Sequence, residues 1–162
     1  MHTILVPVDG SSHALKALHI ACDLADKYGG RIALLHVVAA NKTAAELLQL
    51  PVAGSFPANL RKVLDAASAR PAVKLPGAVL EAVGEAVLGH AAGRAGRRGL
   101  EVETLPLEAG DPADSILVAQ KRTGATTIVM GSRGIGDQGG SSFGSVSNKV
   151  FREADCTCLS VK

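Results

Sequence analysis

The chain has 162 residues, about the length of one domain, with 47% hydrophobic and 20% charged residues and a formal net charge of +2. This balance disfavours a nucleic-acid-binding protein, which needs a clustered basic face. No apolar run approaches the roughly 18 residues of a membrane span, and the start, MHTILVPVDG, lacks the regions of a signal peptide. The three cysteines fit neither a disulfide framework nor a zinc site, so we expect a cytoplasmic protein without membrane insertion or nucleic-acid partners.

Short apolar runs alternate with helix signals in the first part of the chain. Residues 3–8 (TILVPV) and 31–38 (RIALLHVV) predict strands that are buried on both faces. Between them, Ser11 or Ser12 caps a helix that ends at YGG. Residues 39–77 are less regular, with helical pieces near residues 44–50 and 60–70. We expect a mobile excursion here, which is a lid, a partner surface or a tolerated insertion.

The alternation continues after this excursion. A helix is predicted over residues 78–99, and the period-two pattern of residues 100–107 predicts a strand near a sheet edge. The next helix has clear signals at both ends, because Asp111 can cap it, Pro112 suits its first position and Gly124 stops it.

A buried strand over residues 125–130, a helix over residues 144–154 and a strand over residues 158–161 complete the chain. We expect the inner face of this last helix to hold Val146, Val150 and Phe151. Strand and helix thus alternate four times before a final strand. This order predicts one α/β domain over residues 1–162, with an open parallel sheet and helices on both faces.

The segment MGSRGIGDQGGSSFGSVSNKV, residues 130–150, contains six glycines and directly follows a buried strand. In open α/β sheets ligands bind at the carboxyl ends of the strands. Glycines let the main chain approach an anion closely, and the following helix offers free N–H groups and a positive dipole end. With hydroxyl donors from Ser145 and Ser147, the segment predicts a phosphate or nucleotide site made mostly by main chain.

Two familiar phosphate-binding motifs do not fit. A P-loop needs a lysine where Ser145 stands, although Gly139 and Gly144 have the required spacing. The dinucleotide fingerprint should follow the first strand, and VDGSSHA does not match it. His36 lies in a predicted buried strand, where we expect a hydrogen-bonded core histidine and not a catalytic group.

One spacing does match a known family. Gly131, Gly134, Gly144 and Ser145 form the pattern G-x2-G-x9-G-[ST], which resembles the ATP-binding signature of the universal stress protein family. The segments ILVPVDGSSHALKAL, ALLHVV, EAGDPADSIL and GSVSNKVFREADCTCLSVK resemble other landmarks of that family. The resemblance covers nearly the whole chain except residues 39–77.

The resemblance implies a Rossmann-like fold of the nucleotide α-hydrolase type, with five strands in the order 3-2-1-4-5. It implies ATP as ligand, with or without Mg²⁺ or Mn²⁺, and a homodimer formed through the C-terminal strand. Its site residues carry over by position to Pro7, Val8, Asp9, Val37, Met130, Gly131, Arg133, Gly134, Gly144, Ser145, Val146 and Ser147.

The carried-over residues have different expected roles. Val37 would pack on adenine and Met130 would lie near the ribose, although both side chains would also suit the hydrophobic core. Asp9 would be repelled by phosphate unless a divalent cation lies between them or the carboxylate meets the adenine amino group. Arg133 is either a phosphate ligand or an exposed surface arginine. The run IGDQGGSSF departs from the family pattern, and we expect Asp137 within it to weaken phosphate binding.

The leading functional interpretation is an ATP-binding stress or regulatory module that responds to nucleotide and hydrolyses ATP slowly at most. No nucleophile–base pair, Walker lysine or set of acids for two metals is recognisable. One alternative is a dimeric interaction module of the same fold that regulates a partner without nucleotide. A second is an adenylyl-transfer enzyme of a related fold, which VDGSSH only faintly resembles.

Overall fold

The computed structural model describes residues 2–134 and 144–162. A five-stranded parallel sheet forms its centre. The strands are β1 His2–Pro7, β2 Gly30–Leu35, β3 Val102–Thr104, β4 Thr127–Gly131 and β5 Thr157–Val161. The helices are α1 Ser12–Tyr28, α2 Ala44–Leu48, α3 Ala58–Ser68, α4 Gly77–Gly96, α5 Pro112–Thr123 and α6 Ser145–Glu153, with a 3₁₀ turn at Ala53–Ser55.

The strand order is β3-β2-β1-β4-β5, which confirms the predicted topology. β1 pairs in parallel with β2 on one side and with β4 on the other, through Ile4–Thr127 and Leu5–Ile128. The order of the strands therefore reverses between β1 and β4. In open α/β folds a ligand site is expected outside the carboxyl ends of the strands at such a point.

Hydrophobic side chains fill both faces of the sheet, which explains why its central strands are continuous apolar runs. Ile4 and Val6 of β1 join a core with α1 and the helices α2 to α4, whereas Leu5 joins a second core with α5 and α6. Val6 and Leu5 are completely buried. The result is the predicted three-layer arrangement of helices, sheet and helices.

The helix boundaries confirm the predicted caps and stops of α1 and α5. Ser11 caps α1 by accepting a hydrogen bond from an amide of the first turn, and Gly29 ends it in the left-handed conformation with φ 70°. Asp111 caps α5, Pro112 occupies the first helical position and Gly124 ends the helix with φ 63°. These residues satisfy main-chain groups that a helix cannot satisfy internally.

The stretch after β2 is more regular than predicted. A capping box formed by Thr43 and Glu46 starts α2, and Leu47, Phe56 and Leu64 are buried in the core shared with α1 and α4. α2 and α3 have only 5 and 11 residues, so the sequence contains too few turns to show a clear helical period. The exposed connection between α3 and α4 remains irregular, as predicted.

Two sequence predictions change in detail. β3 has only three residues, although its place at the sheet edge is as predicted. The prediction that Phe151 lies on the inner face of α6 is wrong, because its side chain is 36% exposed while Val150 is fully buried. Neighbouring helical residues differ by about 100° in direction, so an inward Val150 directs Phe151 toward the rim. None of the described helices has the length and apolar character needed to cross a bilayer.

Candidate functional site

A cavity of about 380 Å³ lies at the carboxyl ends of the central strands, where the strand order reverses. The predicted site residues meet around it, although they come from three distant parts of the sequence. Those that line the cavity are Pro7, Val8, Asp9, Val37, Met130, Gly131, Arg133, Gly134, Ser145, Val146 and Ser147. Residues 135–143, with the prediction for Asp137, lie outside the described residues.

Gly144 does not line the cavity itself but holds the first turn of α6 in place. It is the N-cap residue of α6, and its N–H donates to the carbonyl oxygen of Ser132 at 2.7 Å. The Ser132 N–H in turn donates to the carbonyl oxygen of Val161 at 2.8 Å. The start of α6 is thereby tied to the ends of β4 and β5, which makes it a firm wall of the cavity.

The two serines of α6 have different surroundings. Ser147 is buried, and its hydroxyl donates to the carbonyl oxygens of Ser132 and Gly144 at 2.9 and 3.0 Å. A hydroxyl has one proton, so in this arrangement it is used within the protein and not on a ligand. Ser145 is exposed and therefore has the more accessible hydroxyl of the two.

Three helix N-termini surround the cavity. The first turns of α1, α5 and α6 contribute Ala14, Pro112 and Ser145 to its lining. Each helix N-terminus carries roughly half a positive charge and directs N–H groups outward. The N-cap of α6 is a glycine, which has no side chain to accept from the first-turn amides. The start of α6 is therefore the end most favourable for an anion, because Ser11 already accepts from a first-turn amide of α1 and the Asp111 carboxylate from one of α5.

Charged side chains lie at the same place. Asp9 accepts a hydrogen bond from the Ser11 N–H at 2.9 Å, and its other oxygen is 2.8 Å from the position that a Cβ on Gly134 would occupy. A side chain at Gly134 would therefore collide with the carboxylate. Arg133 also lines the cavity. Acidic and basic groups thus face the space between β1 and β4.

Lys42 is a cavity residue that sequence reasoning missed. Its ammonium group donates to Glu46 at 3.1 Å, and Glu46 also accepts from the N–H and hydroxyl of Thr43 in the capping box of α2. These hydrogen bonds lower the pKa of Glu46. The bond from the Thr43 main chain has the largest effect and the bond from Lys42 the next largest. The capping box therefore fixes the position of Lys42 at the cavity wall.

His36 shapes the wall without reaching the cavity. Its Nδ1 donates to the carbonyl oxygen of Val8 at 2.8 Å, since a carbonyl can only accept, and the ring is 3% exposed. Burial lowers the pKa of His36, which favours the neutral ring. The expectation of a hydrogen-bonded core histidine is confirmed.

The hydrogen bond between the His36 ring and Val8 is followed in the chain by Val37, whose main-chain groups lie at the cavity. On the other side of the strand, the His36 carbonyl accepts from Glu108, and Val38 donates to Glu108. Within the described ranges, no main-chain partner is found for the N–H and carbonyl of Val37, which lines the cavity. Val37 therefore combines an apolar side chain with one donor and one acceptor.

Other lining residues come from the end of β2, from the segments that follow β2 and β3, and from α5, and could not be recognised as a motif. They are Leu35, Val38, Ala39, Ala40, Asn41, Gly110 and Ile116. The rule that parallel strands end at the same sheet edge is the signal that could have indicated Gly110, which follows β3. The alanines and Asn41 have no distinctive chemistry, and only the packing of the excursion brings them to the site.

Comparison with known proteins agrees with this fold. The model of the universal stress protein family matches residues 1–162. The chain is 31% identical over 163 residues to universal stress protein YxiE of Bacillus subtilis, covering 98% of this chain and 97% of the relative. It is 32% identical over 160 residues to a universal stress protein of Thermus aquaticus, covering 99% and 98%.

Solved structures share the fold at lower identity. Universal stress protein UspA from Lactobacillus plantarum is 23% identical with a TM-score of 0.67, covering 99% of this chain and 97% of that one. A universal stress protein from Archaeoglobus fulgidus in complex with dAMP is 21% identical with a TM-score of 0.62, covering 100% and 98%. A family member from Arabidopsis thaliana with AMP bound is 18% identical with a TM-score of 0.64, covering 100% and 92%. From the match over its full length and these relatives, we conclude that the chain belongs to the universal stress protein family.

Proposed function

We propose that this protein binds ATP in the cavity between β1 and β4 and acts as a nucleotide-responsive regulatory module. One observation carries the proposal. Gly131, Gly134 and Ser145 of the glycine signature line the same cavity as Pro7 of β1 and Leu35 of β2. The dAMP and AMP complexes of two fold neighbours support an adenine nucleotide as the ligand class.

Val37 is the proposed contact for the base. Adenine presents an acceptor, N1, beside a donor, the 6-amino group, and the main chain of Val37 offers a donor and an acceptor in return. Guanine presents the reverse pattern at the same edge. A site with fixed polar groups discriminates strongly against a ligand that leaves them unpaired. The apolar lining from Val37 and Met130 suits the faces of the ring.

The start of α6 and the residues that follow β4 are the proposed phosphate contacts. Main-chain amides at Gly134, Ser145 and Ser147 would bind phosphate oxygens together with the Ser145 hydroxyl. Arg133 suits a bidentate contact to the same group. Gly144 would act by keeping the helix start free of a side chain.

A divalent cation fits the acidic side of this cavity. Mg²⁺ is commonly bound by one or two carboxylates together with substrate phosphates, and Asp9 is a carboxylate that lines the cavity. We assign Asp9 as the residue that would hold Mg²⁺ or Mn²⁺. The ion would neutralise the repulsion between this carboxylate and the triphosphate.

The proposed mechanism is a switch and not rapid turnover. Residues 39–42 line the cavity and continue directly into the capped helix α2, so a ligand that touches this wall also biases the surface of the excursion. A ligand shifts such an equilibrium by the difference between its affinities for the two states. We also propose a homodimer through β5, which is an outer strand of the sheet.

The phosphate assignment is tested with a matched pair of variants, Gly144→Asp and Gly144→Asn. Gly144 has extended backbone angles that any residue adopts, with φ −71° and ψ 162°, and Asp and Asn are equally good helix caps. Only Asp adds a negative charge beside the phosphates. We expect Gly144→Asp to bind a fluorescent ATP analogue at least about tenfold more weakly than Gly144→Asn, a difference of roughly 1.4 kcal/mol. Equal affinities of the two variants, both as high as that of the parent chain, would refute the assignment.

A further inference from the structure

Two cysteines form a pair of thiols at the beginning of β5, away from the nucleotide cavity. Cys156 directly precedes β5, and Cys158 is the second residue of that strand. Alternate residues of a strand face the same side, and both side chains pack against the core beneath α5 and α6. Both thiols are free and only partly buried. Their sulfurs therefore lie on one face and within reach of solvent.

The spacing of these thiols suits a bridging ion better than a disulfide bond. Thr157 between them is in extended conformation, and two strand residues span about 6.6 Å. Same-face Cβ atoms are separated by about this distance, whereas disulfide-bonded Cβ atoms lie about 3.8 Å apart. The Cys158 sulfur turns back toward its neighbour and lies 3.6 Å from the carbonyl oxygen of Cys156. The two thiols also interact directly with each other, so a single ion can contact both sulfurs.

We propose that Cys156 and Cys158 bind one Cu(I) ion, with their two sulfurs as its ligands. Thiolates are soft ligands that favour Cu(I), zinc and iron–sulfur clusters. Structural zinc takes four ligands, and in the described part of the chain no group of three or more His, Cys, Asp or Glu could hold a metal. Cu(I) is a closed-shell ion for which two sulfurs in a linear arrangement suffice. On binding, each thiol releases its proton to solvent and forms one S–Cu bond, with no change in oxidation state.

The surroundings give such an ion a path to the pair. Cys156 lines an open depression of about 580 Å³ together with Gln120 and Asp155. The carboxylate of Asp155 is 76% exposed at this depression and lies 3.7 Å from the ammonium group of Lys121. Cys156 is therefore the member of the pair that borders the open depression.

The test is a competition between the reduced protein and a coloured Cu(I) chelator, without oxygen and with ascorbate as reductant. We compare the parent chain with Cys156→Ser, Cys158→Ser and Cys22→Ser. Cys22 is buried in the core under α1 and serves as the matched control. We expect the parent and Cys22→Ser to withdraw one equivalent of copper per chain. Each of the other two variants should withdraw none at the same chelator concentration.

Two further measurements keep the outcome decisive. Thermal unfolding of each variant shows whether it is folded, and X-ray absorption of the loaded parent should report two sulfur neighbours for copper. The proposal is overturned if the parent leaves the copper with the chelator, or if a folded Cys156→Ser or Cys158→Ser chain still takes a full equivalent. Loss of binding in folded Cys22→Ser would overturn it as well.

Discussion

Replacing Gly84 by alanine should destabilise the protein relative to the same change at Gly89, although both glycines lie in α4. A Cβ on Gly84 would be 2.8 Å from Cδ2 of His36 and 2.9 Å from a methyl of Leu107, whereas nothing lies within 4 Å at Gly89. The Leu107 methyl can turn away. The His36 ring is confined, since it is buried and bonded to Val8 at 2.8 Å.

The magnitudes separate the two variants clearly. Both substitutions gain about 1 kcal/mol of helix propensity, but overpacking at Gly84 costs about 1–3 kcal/mol. Gly89→Ala should therefore be more stable than Gly84→Ala by about 1–3 kcal/mol. At about 2–4 °C per kcal/mol for a chain of this size, their melting temperatures should differ by roughly 2–12 °C.

The measurement is thermal unfolding of both variants and the parent by circular dichroism. We expect Gly89→Ala to melt above the parent and Gly84→Ala to melt below Gly89→Ala by the stated interval. If both variants melt at the same temperature, the close packing of α4 on the His36 ring is wrong.

Three further predictions concern single residues. Because Leu64 is fully buried, Leu64→Ala should lower the free energy of unfolding in urea by about 2–5 kcal/mol. Val63 is exposed, so Val63→Ala should change it by less than about 0.5 kcal/mol. Equal losses would show that α3 is not part of the core. Burial lowers the pKa of His36 below its unfolded value of 6.5, so the unfolded chain binds more protons and stability should fall as pH drops below 6.5. His36→Asn should therefore lose less stability than the parent between pH 7.5 and 5.5. The same pH dependence in both proteins would contradict this. Burial raises the pKa of the Cys158 thiol to about 11. Its alkylation by iodoacetamide should therefore be slow at pH 7, and the rate should rise about tenfold per pH unit, as followed by peptide mass spectrometry. Rapid labelling at neutral pH would contradict this.

Local chemistry explains why the fold could be predicted from the sequence. The caps at Ser11 and Asp111 and the stop at Gly124 depend only on neighbouring residues, and each occupies its predicted place. The apolar strands are continuous because both faces of the sheet are covered. The strand order followed from the family resemblance, since periodicity alone does not specify which parallel strands are neighbours.

The parts that could not be predicted depend on tertiary contacts. Lys42 reaches the cavity only because the excursion folds back onto the core, and nothing near it in sequence indicates this. The hydrogen bond between His36 and Val8 depends on the register of β2 against β1. The side chain of Phe151 turned out to lie at the rim because its direction depends on the exact orientation of a short helix.

The ATP-binding proposal is tested most directly by calorimetric titration of the ligand-free protein with ATP and with GTP, each with and without Mg²⁺. We expect one ATP per chain and, for GTP, binding at least about tenfold weaker, because the main chain at Val37 matches only the adenine edge. Absence of ATP binding both with and without Mg²⁺ would contradict the proposal and favour a module that regulates its partner without nucleotide.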